Sequence, residues 1–456
     1  MSNSGQTYNP ATAYLGLPPG PRAGEVYRGA RADVSGADRV ISMAEVAEQA
    51  LVVIGSGVYD LKNFAPRHRG GKFLSLLFGR DASHIVWNAH AKNPGVARML
   101  EGFRVGTLDR ATLPALDREL LDLRSELEAE GLFHYATRWL VQDAVRLILL
   151  FVLAIVAALT DPWLGCAMFT IASIDLVWWI HDAGHDSIFA TEATARRVIE
   201  TLGITFLGMP QQGYHYVIHR IHHGFANVIG VDQALNTGPV IWDRRMLARS
   251  SPLLVALQPL LWLGVVVPLA TVALIGGAVA GCVKQRKLHL VALFALRWYV
   301  VGAWLFGGNW LAAVLPPVIA GAILAFMASL NHFHLPMSES LERSFARGVV
   351  ERTQNISDAG WLWAWLSGGL DHHIEHHLFA AMPRRNYPVI APRVQALCAR
   401  HGLRYQSCTR LEAVANLWRK LNDPLGDGDE AAAPVLGPRR QVRLASTAIK
   451  IPVDRL

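Results

Sequence analysis

The sequence predicts a small soluble α+β domain followed by an all-α membrane domain, with four transmembrane helices and histidine-bearing helices at their cytosolic ends. Three observations carry this reading. Apolar runs close to the length of a bilayer crossing recur in the second two thirds of the chain. Short strand-like segments around a glycine turn occur near residue 54. Histidines gather three times at helical spacing, at His181–His185, His219–His223 and His373–His377. The chain has 456 residues, is 52% hydrophobic and has a mean hydropathy of +0.25, so it is long enough for more than one domain and too apolar for an ordinary soluble protein.

Residues 1–37 are rich in Gly, Pro, Ala, Ser and Arg, lack the apolar core of a signal peptide, and read as a disordered tail. The net charge of +7 calls for an anionic partner. Apolar runs beside the basic clusters favour lipid headgroups over nucleic acid. Cys166, Cys282, Cys398 and Cys408 lie far apart, with neither metal spacing nor a disulfide framework, which suits a reducing cytosolic face. Residues 38–108 read as the α+β domain. Leu51–Ile54 and Val58–Tyr59 are strand-like about Gly55-Ser56-Gly57, the run His68-Arg69-Gly70-Gly71 follows, and Asp81-Ala82 starts a helix carrying His84 and His90. Residues 109–138 form a linker. Its leucines at 113, 116, 120, 121 and 127 predict an amphipathic helix on the membrane surface, too short for a coiled coil.

The membrane domain takes residues 139–422, and 423–456 read as a flexible tail. Trp139–Thr160 and Pro162–Ile180 form the first spanning pair, about Leu288–Phe306 and Trp310–Leu330 the second. Asp143 and Arg146 are expected to reach headgroups, whereas Asp175 lies inside the second span and is functional by default. Val198–Met209 is too short to cross and reads as interfacial. Pro252–Cys282 has Arg244, Arg245 and Arg249 before it and Lys284, Arg286 and Lys287 after it. Basic residues mark cytosolic ends, so this run is expected to be a hairpin or an in-plane segment. An even number of crossings must separate clusters that meet on one face, which four spans satisfy and five do not.

Residues three and four apart share a helix face. His181 with His185, His219 with His222 and His223, and His373 with His376 and His377 therefore make three histidine faces. A single zinc-type site fills at about four ligands, so eight imidazoles suggest two ions. The ligand type alone fits several metals. Just after the last span, His332 is a ninth candidate, with His334 as second choice. Asp182 and Asp186 could orient ring nitrogens, cap helices or pair with arginines.

Two resemblances follow from these residues. Val58-Tyr59-Asp60-Leu61, the paired glycines Gly70-Gly71 and the Asp81-Ala82 helix start make residues 38–108 resemble cytochrome b5. This implies haem b held by His68 and His90, with His84 as the alternative second ligand, and a role in electron transfer. Arg69 stands where that family usually has proline. The first box is His181-Asp182-Ala183-Gly184-His185, and the second, His219 to His223, is followed by Asn227, Gly230 and Asp232. The third runs from Gly368-Gly369-Leu370 through Ile374-Glu375-His376-His377-Leu378-Phe379 to Met382-Pro383-Arg384 and Asn386-Tyr387. With these, residues 38–422 resemble front-end fatty acyl desaturases with a fused cytochrome b5 domain.

The resemblance implies two iron ions, consumption of O2, a cis double bond placed in a long, often polyunsaturated fatty acyl chain, and electrons from NADH through a cytochrome b5 reductase or an equivalent donor. The expected setting is a multi-pass membrane protein with cytoplasmic termini, in the endoplasmic reticulum or a bacterial inner membrane. The alternatives are a haem-fused fatty acyl or sphingolipid hydroxylase, a sphingolipid desaturase, and a membrane electron carrier using the haem domain alone. His373 departs from the front-end pattern, which usually has glutamine there.

Overall fold

A computed structural model describes residues 39–424 apart from 69–70, 209–218, 236–239 and 244–251. The N-terminal tail, nearly all of the C-terminal tail, Arg69, Gly70 and the basic residues at 244, 245 and 249 lie outside the described residues.

The first domain holds a five-stranded sheet in the order β1-β5-β3-β2-β4, from β1 (Val40–Ile41), β2 (Val52–Ile54), β3 (Gly57–Tyr59), β4 (Arg80–Asp81) and β5 (Arg104–Leu108). Gly55, at φ +64°, makes the tight turn that pairs β2 with β3 antiparallel. Helices α1 (Met43–Glu48), α2 (Ser83–His90) and α3 (Pro94–Leu100) pack around the sheet. Ser42 and Glu45 close a reciprocal capping box at the start of α1. The edge strand β4 and the strand β5 had no clear sequence signal, because pairing rather than alternation defines such short segments.

α4 (Ala115–Ala129) follows. Its Leu116, Leu120, Leu123 and Leu127 are buried in one cluster with Ile374, Leu378 and Ile390, and Leu113 and Leu121 pack on the first domain. The expected membrane-surface helix is therefore corrected: protein covers its apolar stripe on both sides.

Among the described residues, four helices are long and apolar enough to cross a membrane: α5 (Thr137–Thr160), α6 (Pro162–Gly184), the run Leu288–Leu305 and a fourth, Trp310–Leu330. Asp161 reverses the chain between the first two, accepting hydrogen bonds from the N–H groups of Trp163 (2.9 Å) and Leu164 (2.7 Å), with Pro162 at the first helical position. Gly165 then lies directly on Ala158, where a Cβ would collide, so α5 and α6 approach closely. On α5, Val145, Ile148, Leu149, Val152, Val156 and Leu159 remain exposed, an apolar face of the kind that lipid covers.

Asp143 and Arg146 do not face headgroups as expected. Asp143 is buried and accepts from Arg146 (2.7 Å), Arg385 (2.7 Å) and the Tyr135 hydroxyl. Arg146 also supplies the partner that Asp175 needs, at 2.9 Å, and the Trp365 indole N–H donates to the other carboxylate oxygen at 3.1 Å. A charge inside a span is too costly to leave unpaired, so this network knits α5, α6 and the C-terminal region together.

After α7 (Glu192–Leu202) and α8 (Arg220–Phe225), the run at 252–284 is continuously helical, as α9 (Pro252–Leu261), a wide-turned segment Trp262–Val266 and α10 (Val267–Lys284). No reversing turn occurs, which corrects the hairpin branch of the expectation. Near one end Gln258 donates to the Leu421 carbonyl, and just past the other Lys287 pairs with Glu200 of α7 at 2.6 Å. The remaining helices are α11 (Leu288–Trp298), α12 (Trp310–Leu330), α13 (Phe345–Arg352), α14 (Trp361–Ser367), α15 (His373–Leu378), α16 (Tyr387–Arg400) and α17 (Arg410–Asn422).

Candidate metal centre

His181 lies in the last turn of α6 and His185 caps its end, α12 ends just before His332, and the short helices α8, capped by His219, and α15 carry the other two clusters. Gly368 and Gly369, at φ +61° and +83°, turn the chain sharply from α14 into the third cluster. A Cβ on Gly368 would strike the Trp178 indole of α6, so glycine sets how closely the third cluster approaches the first.

Nine imidazoles meet. His181, His185, His219, His223 and His376 form one group, and His222, His332 and His377 a second, each with ligand atoms within 4.8 Å of one another. His373 joins the second, its Nε2 lying 2.6 Å from His332 Nε2. Each H-x-x-H-H box thus splits. Its first and last histidines, about 40° apart around the helix axis, stay in one group; the middle one, about 100° from its neighbour, crosses to the other. The expectation that all three rings of a box share one face is corrected in this respect.

The donor set fits cations. His219 Nε2 lies 2.9 Å from His185 Nε2, 3.0 Å from His181 Nε2 and 3.2 Å from His223 Nε2. His332 Nε2 is likewise 3.1 Å from His222 Nε2 and 3.0 Å from His377 Nε2. A ring N–H can satisfy one such neighbour, not three, so lone pairs face lone pairs at each focus. Burial, reinforced by neighbouring imidazoles, pushes His223, His373, His376 and His377 well below the usual histidine range and His332 down to about 3. The rings are therefore neutral and can donate a lone pair. His376 Nε2 is buried without a hydrogen-bond partner.

Groups behind the rings hold several of them. The Asp232 carboxylate contacts His222 Nδ1 at 3.0 and 3.1 Å. Although burial opposes it, His222 and the N–H groups of Asn227 and Ala234 keep Asp232 below the ordinary carboxylate value. His332 Nδ1 faces the Arg352 carbonyl at 2.9 Å, and His376 Nδ1 the Tyr387 hydroxyl at 3.2 Å. Asp182 lies 3.4 Å from His181 Nδ1 but pairs more closely with Arg384, at 3.0 Å. Asp186 contacts no ring; it pairs with Arg220 at 2.8 Å. His334 turns away to Gln354 at 3.1 Å. In the sequence Asp232 and Tyr387 stand out only as motif neighbours. Aspartate ten residues after His222 was the available signal for an orienting group.

In the first domain, the His68 and His90 rings face each other with centroids 6.3 Å apart. Two imidazoles each bound at about 2 Å to one metal would place their centroids roughly 6 Å apart. Phe64 packs 5.6 Å from His68, and His90 Nδ1 is buried without a partner. Burial, then the nearby Arg220 charge, pushes His90 down to about 4, leaving a neutral donor. The pair therefore fits haem. His84 instead stacks on Phe345 of α13, at 5.4 Å and 5°.

Comparison with known proteins agrees with this geometry. The family model described as fatty acid desaturase matches residues 154–409, and that of the cytochrome b5-like haem/steroid binding domain matches residues 42–109. The chain is 25% identical over 397 residues to an acyl-lipid (9-3)-desaturase of Physcomitrium patens, covering 82% of this chain and 75% of that one. It is 28% identical over 397 residues to an acyl-lipid (8-3)-desaturase of Rebecca salina, covering 82% and 91%. A fatty acid desaturase 2-like protein of Mus musculus is 25% identical over 404 residues, covering 83% and 82%. No solved structure matches the chain.

Proposed function

The chain belongs to the fatty acid desaturase family, and on that premise we propose that it is a membrane front-end desaturase that places a cis double bond in a long, polyunsaturated fatty acyl chain. The observation that carries this reading is the pair of imidazole groups gathered at the inner ends of α6 and α12. His181, His185, His219, His223 and His376 would hold one iron ion, and His222, His332, His373 and His377 the other. Two irons with O2 would supply an oxidant strong enough for unactivated C–H bonds, and His68 and His90 would hold a haem able to supply electrons singly, drawn from NADH through a reductase.

The protein's own residues do the rest. Asp232, the Arg352 carbonyl and the Tyr387 hydroxyl fix the orientation and tautomer of His222, His332 and His376. Burial keeps His223, His332, His373, His376 and His377 unprotonated. The cluster faces the cytosol in this reading, with both termini on that side, in the endoplasmic reticulum of a eukaryote or the inner membrane of a bacterium.

Expression in a host fed defined polyunsaturated acids tests the assignment. Gas chromatography with mass detection should find a product lighter than its precursor by two hydrogen atoms, with the new bond on the carboxyl side of an existing one. A main product heavier by one oxygen atom would instead make the protein a hydroxylase.

A further inference from the structure

The haem-domain helix α2 does not merely lie near the metal centre; it is fastened to it at two consecutive residues. Arg220 stands next to His219 in the second box, its side chain 8% exposed. One guanidinium nitrogen donates to the carbonyl of Ala89, the residue before His90. The other donates to Asp186 at 2.8 Å and to the carbonyl of Gly184, the residue before His185, at 3.2 Å. The Ala89 carbonyl lies in the last turn of α2, where free carbonyls and the helix dipole favour a cation.

The second fastening is Asn88. Its Nδ2 donates to the carbonyls of His377 (3.3 Å) and Leu378 (3.1 Å), while its Oδ1 accepts from Arg124 at 3.2 Å. Residues 88 and 89 therefore bond directly to the second and third histidine boxes, and Arg220 carries the connection on to the first. Between the fastenings lies a small cavity of about 10 Å³, lined by Ile85, Asn88 and Ala89 on one wall and His185, Arg220 and His223 on the other. It separates the haem-ligand helix from the first imidazole group with no intervening element.

We propose that Arg220 and Asn88 form an interdomain latch that holds the His90 helix on the metal centre and so sets the rate at which electrons cross. The proposal rests on the reading that the haem domain feeds the iron ions. Each crossing takes one electron from ferrous haem, leaving it ferric, and gives it to an iron ion; NADH acting through a reductase returns the haem to ferrous. Both residues are positioning residues, since neither touches substrate. Arginine suits the task because its planar fork reaches acceptors on both domains, which a lysine ammonium cannot span equally well.

The test uses the full-length holoprotein with haem and iron content measured. Haem is reduced with NADH and cytochrome b5 reductase, and its reoxidation is followed optically after mixing with acyl substrate and oxygen. Arg220→Met should keep its haem, its iron and its rate of haem reduction, yet slow substrate-dependent reoxidation by about tenfold or more, because small misplacements at a distance cost that much. Arg220→Lys should recover part of the rate. Unchanged reoxidation in an iron-replete Arg220→Met protein overturns the latch. If that variant loses iron because Asp186 is left unpaired, Asn88→Ala, which touches no ligand side chain, decides between the same two outcomes on the same scale. Amide hydrogen exchange over residues 83–90 reads the latch without turnover: faster exchange in both variants supports it, and unchanged exchange overturns it. A wild-type protein whose haem never reoxidises on substrate addition refutes the electron-donor reading, and the exchange experiment then still decides the latch.

Discussion

The two imidazole groups are built from the same boxes but held differently. In the second group, His222 is backed by a buried carboxylate at 3.0 Å and His332 by a backbone carbonyl at 2.9 Å. In the first, the corresponding contacts are a phenol at 3.2 Å from His376 and a carboxylate at 3.4 Å from His181 that is mainly engaged with Arg384. The first group also borders the small cavity beneath α2. Tightly braced rings hold geometry; loosely braced rings beside a cavity can adjust as charge and ligands change. We read the second group as the scaffold of the centre and the first as its adaptable half.

The sharpest contrast comes from neighbouring residues that serve different halves. His222→Ala should abolish desaturation and also leave the buried Asp232 with only the N–H groups of Asn227 and Ala234, a loss of about 1–3 kcal/mol in stability. His223→Ala should abolish desaturation with a clearly smaller fall in melting temperature. Equal falls would erase the distinction. The same contrast applies in the third box. His376→Gln and His377→Gln should leave no activity, because each removes a ring from a focus. His373→Gln should keep a measurable part and His373→Ala none, the glutamine carbonyl standing in weakly at the periphery of the second group; full activity in a stable His373→Ala protein would remove it from the ligand set.

Orienting groups should matter less than ligands, and unequally. Asp232→Asn should weaken binding of one metal ion by about 10–100-fold, and Tyr387→Phe by less, read by metal competition. A larger effect from Tyr387→Phe would reverse the assignment of scaffold and adaptable half. Acid should act on both halves. His332, depressed from 6.5 to about 3, binds a proton more readily in the unfolded chain throughout that interval. Its contribution is therefore complete above 6.5 and is lost progressively as pH falls toward 3. Chelator-stripped protein should accordingly melt at lower temperature at pH 5.5 than at pH 7.5, by a modest margin that bound metal reduces; a flat profile would mean the rings are not buried neutral.

Much of this was legible in the chain. The spans and the paired histidine spacings rest on local periodicity, which sequence carries directly; His68 and His90 were marked by a resemblance, and their rings lie 6.3 Å apart. What escaped detection depends on what comes to lie opposite. The leucines of α4 read as a membrane-facing stripe because nothing local says that Ile374 and Leu378 will cover them. Asp175 had no visible partner because Arg146 belongs to another helix. The split of His222 from His223 was open to derivation from the 100° helical step, but only the position of His332 shows where the odd ring goes.

The alternate sharing of rings also has a bearing on biogenesis. Of the nine histidines, five precede residue 330 in the chain, and His332, His373, His376 and His377 come later. Neither focus is complete without a ring from the third box. When the last span is made, the first group has four of its five rings and the second only His222. Loading of any metal would then be the closing act of maturation, because both groups wait on the third box.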